Sequence, residues 1–340
     1  MIKPDGPIPA PRGEAQIEAE LSGFRASFTA IQRQIQQVIV GQDQIVRYSL
    51  MAVFLQGHVL LEGVPGLGKT LLITTMGQAL GLRFGRVQFT PDLMPADITG
   101  TRVLQQEPSG AMRFEFERGP VFTNLLLADE INRATPKTQS ALLESMQERQ
   151  VTIAGTTHPL PEPFVVLATQ NPLESEGTYP LPEAQLDRFL FKLLIGFPTQ
   201  LELVEIMRRT TGDLITAPQR MLDAPSRVAL WGRLLRHVPI ASSVMEFGAR
   251  LLLATHPGQA AATDSPSRWI RFGASPRGLQ AMVLAAKLGA VLDGRFAVSR
   301  QDLVEVAKPC LRHRLLLSFE AESEGVRPDG VLDQIIQRLV

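Results

Sequence analysis

The stretch G-V-P-G-L-G-K-T at residues 63–70 constrains the fold more than any other part of the chain. It matches the pattern G-x-x-x-x-G-K-[ST], in which the backbone N–H groups of a glycine-rich turn surround phosphate oxygens. The apolar run H-V-L-L-E at 58–62 precedes it, and helical periodicity follows it from Lys69 to Leu80. A strand, a phosphate loop and a helix in this order predict an α/β fold with a parallel sheet.

The rest of the first 198 residues continues this pattern. Helical periodicity begins at Glu14, and two alternating segments, 101–117 and 150–163, are typical of β-hairpins. Further apolar runs between helical segments predict buried parallel strands flanked by helices. These runs cover residues 86–89, 124–130, 164–172 and 189–197.

Beyond Pro198 the strand signals stop and helical periodicity continues to the end of the chain. We therefore predict a flexible proline-rich leader at 1–13, an α/β nucleotide-binding domain with an N-terminal helix at 14–198, and an all-α second domain at 199–340.

Composition narrows the classes of partner. Lys plus Arg equals Asp plus Glu at 34 each, which argues against a general attraction to nucleic acid or anionic membranes. Cys310 is the single cysteine, so no internal disulfide is expected, and we predict a cytoplasmic protein. No apolar stretch approaches the ~20 residues of a membrane helix.

The phosphate loop supplies the candidate ligands for a nucleoside triphosphate. Lys69 is expected to reach the β- and γ-phosphates, and the hydroxyl of Thr70 to bind Mg²⁺. The helix that begins there adds partial positive charge. The predicted phosphate ligands are Gly63, Val64, Pro65, Gly66, Leu67, Gly68, Lys69 and Thr70.

Two acidic residues, Asp129 and Glu130, end the apolar run at 125–128. Ligands of open α/β sheets bind at the carboxyl ends of the strands. Asp129 is therefore a candidate nucleotide-site residue that holds Mg²⁺ through its water shell, and Glu130 a candidate to deprotonate the attacking water. Taken by itself, the pair could also be a plain acidic helix start. The phosphate loop upstream favours the catalytic interpretation.

A neutral amide, Asn171, follows the strand predicted at 164–169. It could hydrogen-bond the γ-phosphate or the attacking water without adding charge. Asn is also common in turns for purely local reasons. Its place after the strand that follows the acidic pair favours the functional role.

Two arginines could stabilise the charge that develops during phosphoryl transfer. Arg277 begins a helix of the second domain, from which it could reach a nucleotide held between the domains. Arg188 lies at the predicted edge of the first domain, where a neighbouring subunit could use it more readily than its own site. For each the alternative is an exposed ion pair, that of Arg188 with Asp187, worth ~0–1 kcal/mol.

Several stretches together resemble the MoxR family of AAA+ ATPases. They are G-H-V-L-L-E-G-V-P-G-L-G-K-T, R-V-Q-F-T-P-D-L-M-P-A-D-I-T-G-T, N-L-L-L-A-D-E-I-N-R-A-T, L-P-E-A-Q-L-D-R-F-L-F-K and A-S-P-R-G. The resemblance is almost continuous over about residues 38–197 and weaker to about 330. It says little about the first 37 residues.

The resemblance implies an AAA+ P-loop core with a helical lid, ATP and Mg²⁺ as ligands, and a homo-hexameric ring. Under it Asp129 and Glu130 are the Walker B pair, Asn171 is sensor 1 and Arg277 is sensor 2. Arg188 is the arginine finger that acts on the neighbour's nucleotide. Val40 and Gly41 resemble the segment that packs on adenine, and the two hairpins correspond to insertions that face the pore.

The resemblance also implies a chaperone-like motor that remodels or matures partner proteins, often ones with a von Willebrand factor A domain. The alternatives are a nucleic-acid or chelatase-type AAA+ motor subunit and a nucleotide-gated scaffold with little turnover. Balanced charge and only two Trp and two Tyr residues argue against a nucleic-acid groove, so no nucleic-acid partner is expected.

Overall fold

A computed structural model describes most of the chain: residues 13–106, 112–172, 177–211, 218–222, 225–258 and 267–340. The predicted leader lies almost wholly outside these residues, and so does the predicted turn at 107–110 of the first hairpin. Among the described residues, no helix combines the length and apolar character needed to cross a membrane.

Helices and strands alternate through the first part of the chain, and helices dominate the second. The α-helices are α1 (Glu14–Gln36), α2 (Asp43–Leu55), α3 (Lys69–Leu80), α4 (Pro95–Thr99), α5 (Pro136–Glu148), α6 (Glu183–Leu186), α7 (Gln200–Thr210), α8 (Pro225–Leu234), α9 (Ser242–Leu253), α10 (Pro276–Leu292), α11 (Arg300–Leu311), α12 (Phe319–Ser323) and α13 (Pro328–Leu339). The strands are β1 (His58–Glu62), β2 (Phe84–Gln88), β3 (Gly100–Gln106), β4 (Met112–Arg118), β5 (Leu125–Asp129), β6 (Gln150–Ile153), β7 (Thr156–Pro159), β8 (Val165–Gln170), β9 (Phe189–Leu194), β10 (Ile270–Phe272) and β11 (Leu316–Leu317).

A parallel sheet with the strand order β2-β5-β8-β1-β9 forms the centre of the molecule. Successive residues of each strand face opposite sides. In β1, Val59 and Leu61 belong to one buried cluster, whereas Leu60 belongs to the other. Because both faces are covered, the three central strands β1, β5 and β8 are mainly apolar in sequence. The predicted α/β fold is confirmed.

Helix α1 packs on the sheet domain and on the second region together. The ring centroid of Phe24 lies 5.0 Å from that of Phe54 in α2 and 5.1 Å from that of Trp231 in α8. The buried cluster that contains these rings takes residues from both sides of the predicted boundary at 199. Hydrophobic packing therefore does not separate the two regions, and the boundary stays a prediction.

The second region is a helical lid, as expected, but it is not all-α. β10 and β11 form an antiparallel pair within it. Strands of three and two residues are too short for an alternating pattern to emerge from the sequence. The prediction of a strand-free second domain was wrong in this detail.

The lid is docked against the outer edge of β9. Three consecutive residues, Arg312, His313 and Arg314, contact backbone carbonyl oxygens of this edge. The Nε2 atom of His313 and the Nη2 atom of Arg314 lie 3.0 and 2.7 Å from the carbonyl oxygen of Phe189. An edge strand exposes unpaired backbone groups, so these contacts both satisfy the edge and attach the lid there.

Both predicted hairpins are present as β3–β4 and β6–β7, the second ending at Pro159. They touch each other through aromatic rings. Phe116 of β4 stacks on His158 of β7, with centroids 4.2 Å apart and planes at 24°.

Candidate nucleotide site

The phosphate loop lies between β1 and α3, as the sequence predicts. Gly66 and Gly68 have φ angles of +82° and +74°, a left-handed conformation that glycine adopts without strain. A Cβ atom added at either would meet no atom within 4 Å, so the space beside the loop is open. At Gly63 the space is filled instead, because a Cβ there would lie 2.9 Å from the Cβ of Ile195.

Lys69 points back into the loop and donates to the carbonyl oxygen of Gly63. Burial lowers the pKa of Lys69, while the charges of Asp129, Glu130 and Glu62 act in the opposite direction. The ammonium group of Lys69 is therefore close enough to Asp129 and Glu130 to interact electrostatically with them. A phosphate group in the loop would satisfy it further.

The acidic pair lies beside the loop at the carboxyl end of β5. Asp129 ends the strand and is 16% exposed, whereas Glu130 follows it with a φ of +56° and a ψ of +50°. The left-handed backbone conformation of Glu130 costs of order 1–3 kcal/mol, and strain of this kind is typical of functional positions. The turn aims Glu130 differently from Asp129.

Thr169, in β8, holds the two acidic residues together. Its Oγ1 atom donates to Oδ1 of Asp129 at 2.7 Å and accepts from the backbone N–H of Glu130 at 2.8 Å. The residue is fully buried. Sequence reasoning missed it, although a threonine at the end of an otherwise apolar strand is a detectable signal.

Two residues of β2, Arg86 and Gln88, were also missed as site residues. Arg86 Nη2 donates to Oδ2 of Asp129 at 2.7 Å, and Gln88 Nε2 donates to Oε2 of Glu130 at 2.8 Å. Gln88 is the register partner of Asp129 across the neighbouring strands. Polar residues spaced by two in a strand were visible in R-V-Q-F, but only the strand order places them beside the acidic pair.

Asn171 lies at the same end of the sheet. It follows Gln170, which is the register partner of Glu62, the last residue of β1. The backbone N–H of Gly63 donates to the carbonyl of Gln170 at 3.2 Å, and Asn171 is buried. The phosphate loop, the acidic pair and the predicted amide are thus brought together; their roles stay predictions.

The segment around Val40 and Gly41 borders the loop on its other side. Gln42 Nε2 donates to the carbonyl oxygen of Leu67 at 3.0 Å. Gly41 has a φ of +72°, and a Cβ there would lie 2.1 Å from Oε1 of Glu202 in α7. This segment therefore lies next to the loop, and its contact with the base of a nucleotide stays a prediction.

The donor set fits a nucleotide with a divalent cation. The loop offers open space and backbone amides, Lys69 a cation, and Asp129 and Glu130 carboxylates. The Thr70 hydroxyl makes no hydrogen bond with any described residue. Mg²⁺ typically binds one or two protein oxygens together with substrate phosphates, which such a set supplies.

Arg188 lies at the opposite end of the sheet. It precedes Phe189, which pairs with His58 at the start of β1, whereas the loop follows the end of β1. At ~3.3 Å per residue, the two ends of a five-residue strand such as β1 are separated by about 15 Å. Arg188 therefore lies at the start of β9, the edge strand of the sheet, and its role stays a prediction.

The alternative of an ion pair between Arg188 and Asp187 was wrong. Arg188 Nη1 donates to the carbonyl of Leu143 at 2.6 Å, and its Nε is buried without a hydrogen-bond partner among the described residues. Asp187 instead accepts from Arg314 Nε at 2.8 Å. Arg188 therefore keeps an uncompensated charge within the described part of the chain.

Arg277 lies near Asp187, the residue that precedes Arg188. Its Nε atom is 3.9 Å from Oδ2 of Asp187, and it is 49% exposed. Ser275, the N-cap of α10, also donates to Asp187 at 2.9 Å. The lid thus places Arg277 at the amino end of β9, and its expected role toward a nucleotide stays a prediction.

Comparisons with known proteins support the phosphate-loop core and the helical lid. The family described as "ATPase family associated with various cellular activities (AAA)" matches residues 58–191, and the AAA lid domain matches residues 266–335. Chaperone MoxR1 of Mycobacterium tuberculosis is 44% identical over 96% of this chain and 85% of its own. Protein MoxR of Paracoccus denitrificans is 32% identical over 92% of this chain and 96% of its own.

A crystal structure of a candidate ATPase from Cytophaga hutchinsonii superposes with a TM-score of 0.88 at 39% identity, covering 95% of this chain and 97% of that one. The sheet order, the phosphate loop after β1 and the helical lid define an AAA+ ATPase, which binds and hydrolyses ATP. Within that class, the chain belongs to the MoxR family, whose members are chaperone-like.

Proposed function

We propose that this ATPase works as a head-to-tail homo-hexameric ring, in which Arg188 and Arg277 of one subunit complete the nucleotide site of the next. The separation of these arginines from the phosphate loop carries the proposal. Arg188 precedes Phe189 at the amino end of β9 and Arg277 lies near Asp187 there, whereas the loop lies at the carboxyl end of β1. A chain with the two halves of a site at opposite ends is suited to heterologous contacts that close into a ring.

The surface of α7 supports the same assembly. This helix lies on the nucleotide side, where Glu202 covers Gly41, and none of its residues is buried. Leu201 is 83% exposed and Met207 53%. Exposed apolar surface of this kind is typical of contacts between subunits.

In the proposed reaction, each group acts on a defined part of ATP. Lys69 and the loop amides hold the β- and γ-phosphates, and Thr70 and Asp129 would hold Mg²⁺, which neutralises phosphate charge. Glu130 orients and deprotonates the attacking water, and Asn171 hydrogen-bonds this water or the γ-phosphate. Arg188 and Arg277 of the neighbour stabilise the charge of the transition state.

We further propose that the motor remodels or matures a partner protein, one with a von Willebrand factor A domain, in the cytoplasm. The name of the 44% identical relative, Chaperone MoxR1, and the family resemblance support this. The joined hairpins β3–β4 and β6–β7 are the proposed contact surface. Leu104 and Phe114, register partners on one face of the first hairpin, are 51% and 58% exposed.

Mixing variants of the chain tests the shared site. Arg188→Ala alone should lose roughly 10³-fold or more in ATP turnover, as arginine fingers do, and Lys69→Ala should lose nucleotide binding. In mixed rings some interfaces pair an intact loop with an intact Arg188, about one in four at equal mixing for random neighbours. We expect ATPase activity to reappear on mixing, with the same result for Arg277→Ala plus Lys69→Ala.

Two mixtures serve as matched controls. Lys69→Ala with Glu130→Gln should stay inactive, because every subunit then carries a defect on the phosphate-loop side of the shared site. Arg188→Ala with Arg277→Ala should stay inactive for the same reason at the opposite end. Recovery in these controls, or none in the test mixtures despite mixed rings seen by native mass spectrometry, would contradict the shared site.

A trapped motor tests the proposed partner. Glu130→Gln should bind ATP without turning it over and so retain its partner, whereas Lys69→Ala should not. Tagged variants are isolated with ATP from the source cells, and bound proteins are identified by mass spectrometry. A von Willebrand factor A protein enriched with Glu130→Gln supports the proposal. Enriched nucleic acid, with ATPase stimulation by DNA or RNA, would overturn it.

A further inference from the structure

The guanidinium group of Arg314 is buried where the lid meets the edge of β9. Arg314 lies in the turn between α11 and β11, and its side chain is 3% exposed. A guanidinium group carries five N–H donors, and each donor of Arg314 has an acceptor. Two acceptors belong to the lid, namely the carbonyl oxygen of Cys310 and Nε2 of His313. The other three belong to residues 187 and 189 of the sheet domain.

The three contacts with the sheet domain lie on both sides of Arg188. Arg314 Nε donates to Oδ1 of Asp187 at 2.8 Å. Arg314 Nη2 donates to the carbonyl oxygen of Asp187 at 3.0 Å and to that of Phe189 at 2.7 Å. Because Arg188 lies between these two carbonyl groups in the chain, its backbone is held directly before and directly after it.

The segment around Arg188 has little regular structure of its own. Helix α6, which ends at Leu186, has four residues and none of them is buried. The pairing of β9 with β1 is irregular at its start, because the register shifts between His58 and Val59. The side chain of Arg188 donates to the carbonyl oxygen of Leu143. The contacts of Arg314 therefore fix the backbone where regular strand pairing does not.

We propose that Arg314 is a positioning residue for Arg188: it fixes the backbone on both sides of Arg188 and so determines where this guanidinium is presented to the nucleotide of the neighbouring subunit. The inference rests on the proposed role of Arg188 in the neighbour's site. Because Arg314 is also bonded to the lid, a lid that leaves the edge of β9 withdraws this support. The lid of one subunit thereby controls the arginine that the next subunit uses.

Separate measurements of nucleotide binding and turnover test this role. Arg314→Lys keeps a positive charge beside Asp187, but an ammonium group lacks the planar fork that reaches both carbonyl oxygens at once. We expect turnover at saturating ATP to fall about 10²-fold, the effect of a small misplacement of a catalytic group. Affinity for a fluorescent ATP analogue should stay within about twofold of the wild type, since the phosphate loop lies at the other end of the sheet.

The matched control is Arg312→Lys. Arg312 also joins the lid to β9, through the carbonyl oxygen of Lys192 at 3.2 Å, and it pairs with Asp329 at 2.8 Å. These contacts lie further along the strand, so turnover should stay near that of the wild type. Equal losses in the two variants would show that Arg314 only attaches the lid, and would overturn the proposal. Circular dichroism checks folding, and Arg314→Gln is the second variant if Arg314→Lys does not fold.

Mixed rings assign the defect to one side of the shared site. Arg314→Lys should regain activity with Lys69→Ala, which supplies an intact Arg188, and should stay at its low activity with Arg188→Ala. The reference is the mixture of Arg188→Ala with Lys69→Ala. If this reference recovers, then recovery of Arg314→Lys with Arg188→Ala, or none with Lys69→Ala, overturns the positioning role alone. If the reference stays inactive, the proposed shared site fails and the inference fails with it.

Discussion

At the scale of single residues, the candidate site depends on side chains that support other side chains. Thr169 contacts both acidic residues through one hydroxyl group, which donates to Asp129 and accepts from the N–H of Glu130. The left-handed backbone at Glu130 needs such a contact, because its strain must be offset locally. Positioning of the acidic pair is thus shared by two adjacent strands.

Replacing Thr169 by Val tests this support. The change keeps the shape but removes the hydroxyl, which leaves the buried N–H of Glu130 unpaired and Asp129 without one of its two hydrogen bonds. We expect ATP turnover to fall about 10–100-fold, the usual effect of losing a residue that orients a metal ligand. Steady-state ATPase assays measure it, and Thr169→Ser, which retains the hydroxyl, should stay near the wild type. Equal activity of Thr169→Val and the wild type would contradict the role.

At the scale of elements, the position of the lid follows from a few contacts around Asp187. Ser275 caps α10 by accepting from the N–H of Arg277 at 3.2 Å, and the same hydroxyl donates to Asp187 at 2.9 Å. Arg314 adds a 2.8 Å bond to the same carboxylate. The start of α10 is therefore tied directly to the amino end of β9, and the direction of the helix follows.

Ser275→Ala should weaken both the cap and this attachment. Loss of an N-cap costs about 0.5–2 kcal/mol, and the bond to a charged partner adds to that. Ser318→Ala is the control, since Ser318 caps α12 without a hydrogen bond to Asp187. Urea unfolding should show a larger loss for Ser275→Ala, with exposure of the α10–β9 contact in hydrogen exchange. Equal losses in the two variants would show that the attachment contributes nothing.

At the scale of the whole molecule, two buried histidines make the free energy of unfolding depend on pH. His58 accepts from the N–H of Val166 at 3.0 Å and contacts the carbonyl oxygen of Met146 at 3.1 Å. Burial, with the charge of Arg149, lowers the pKa of His58 to about 3. Burial and the charge of Arg314 also lower the pKa of His313 well below its usual value. Both rings are therefore neutral in the folded protein.

The sign of the pH dependence follows from these lowered pKa values. Below pH ~6.5 the unfolded chain binds protons at both histidines, whereas the folded chain does not until the lowered pKa values are reached. The free energy of unfolding should fall by up to about 1.4 kcal/mol per pH unit for each histidine as pH drops below ~6.5. Urea unfolding at pH 7.5 and 5.5 measures it. His58→Gln should reduce the difference, and exposed His237→Gln should not.

Local patterns predicted the elements that carry most of the site. The bounds of β1 and α3 agree with the sequence prediction, because the apolar run, the glycines and Lys69 are all within thirty residues of one another. The acidic pair and Asn171 were placed correctly at strand ends. Arg86 and Gln88 were missed because a polar pair in a strand has no special meaning until its neighbouring strand is known.

The sequence by itself determined the phosphate loop, the parallel sheet and the helical character of the lid, since each depends on residues close together in the chain. The tertiary structure alone decided where the lid attaches and hence where Arg277 lies. The attachment of the lid depends on two residues that contact Asp187, Ser275 and Arg314. They lie 88 and 127 positions after Asp187 in the sequence. No local periodicity encodes such contacts, because they arise only when the edge of β9 meets the docked lid.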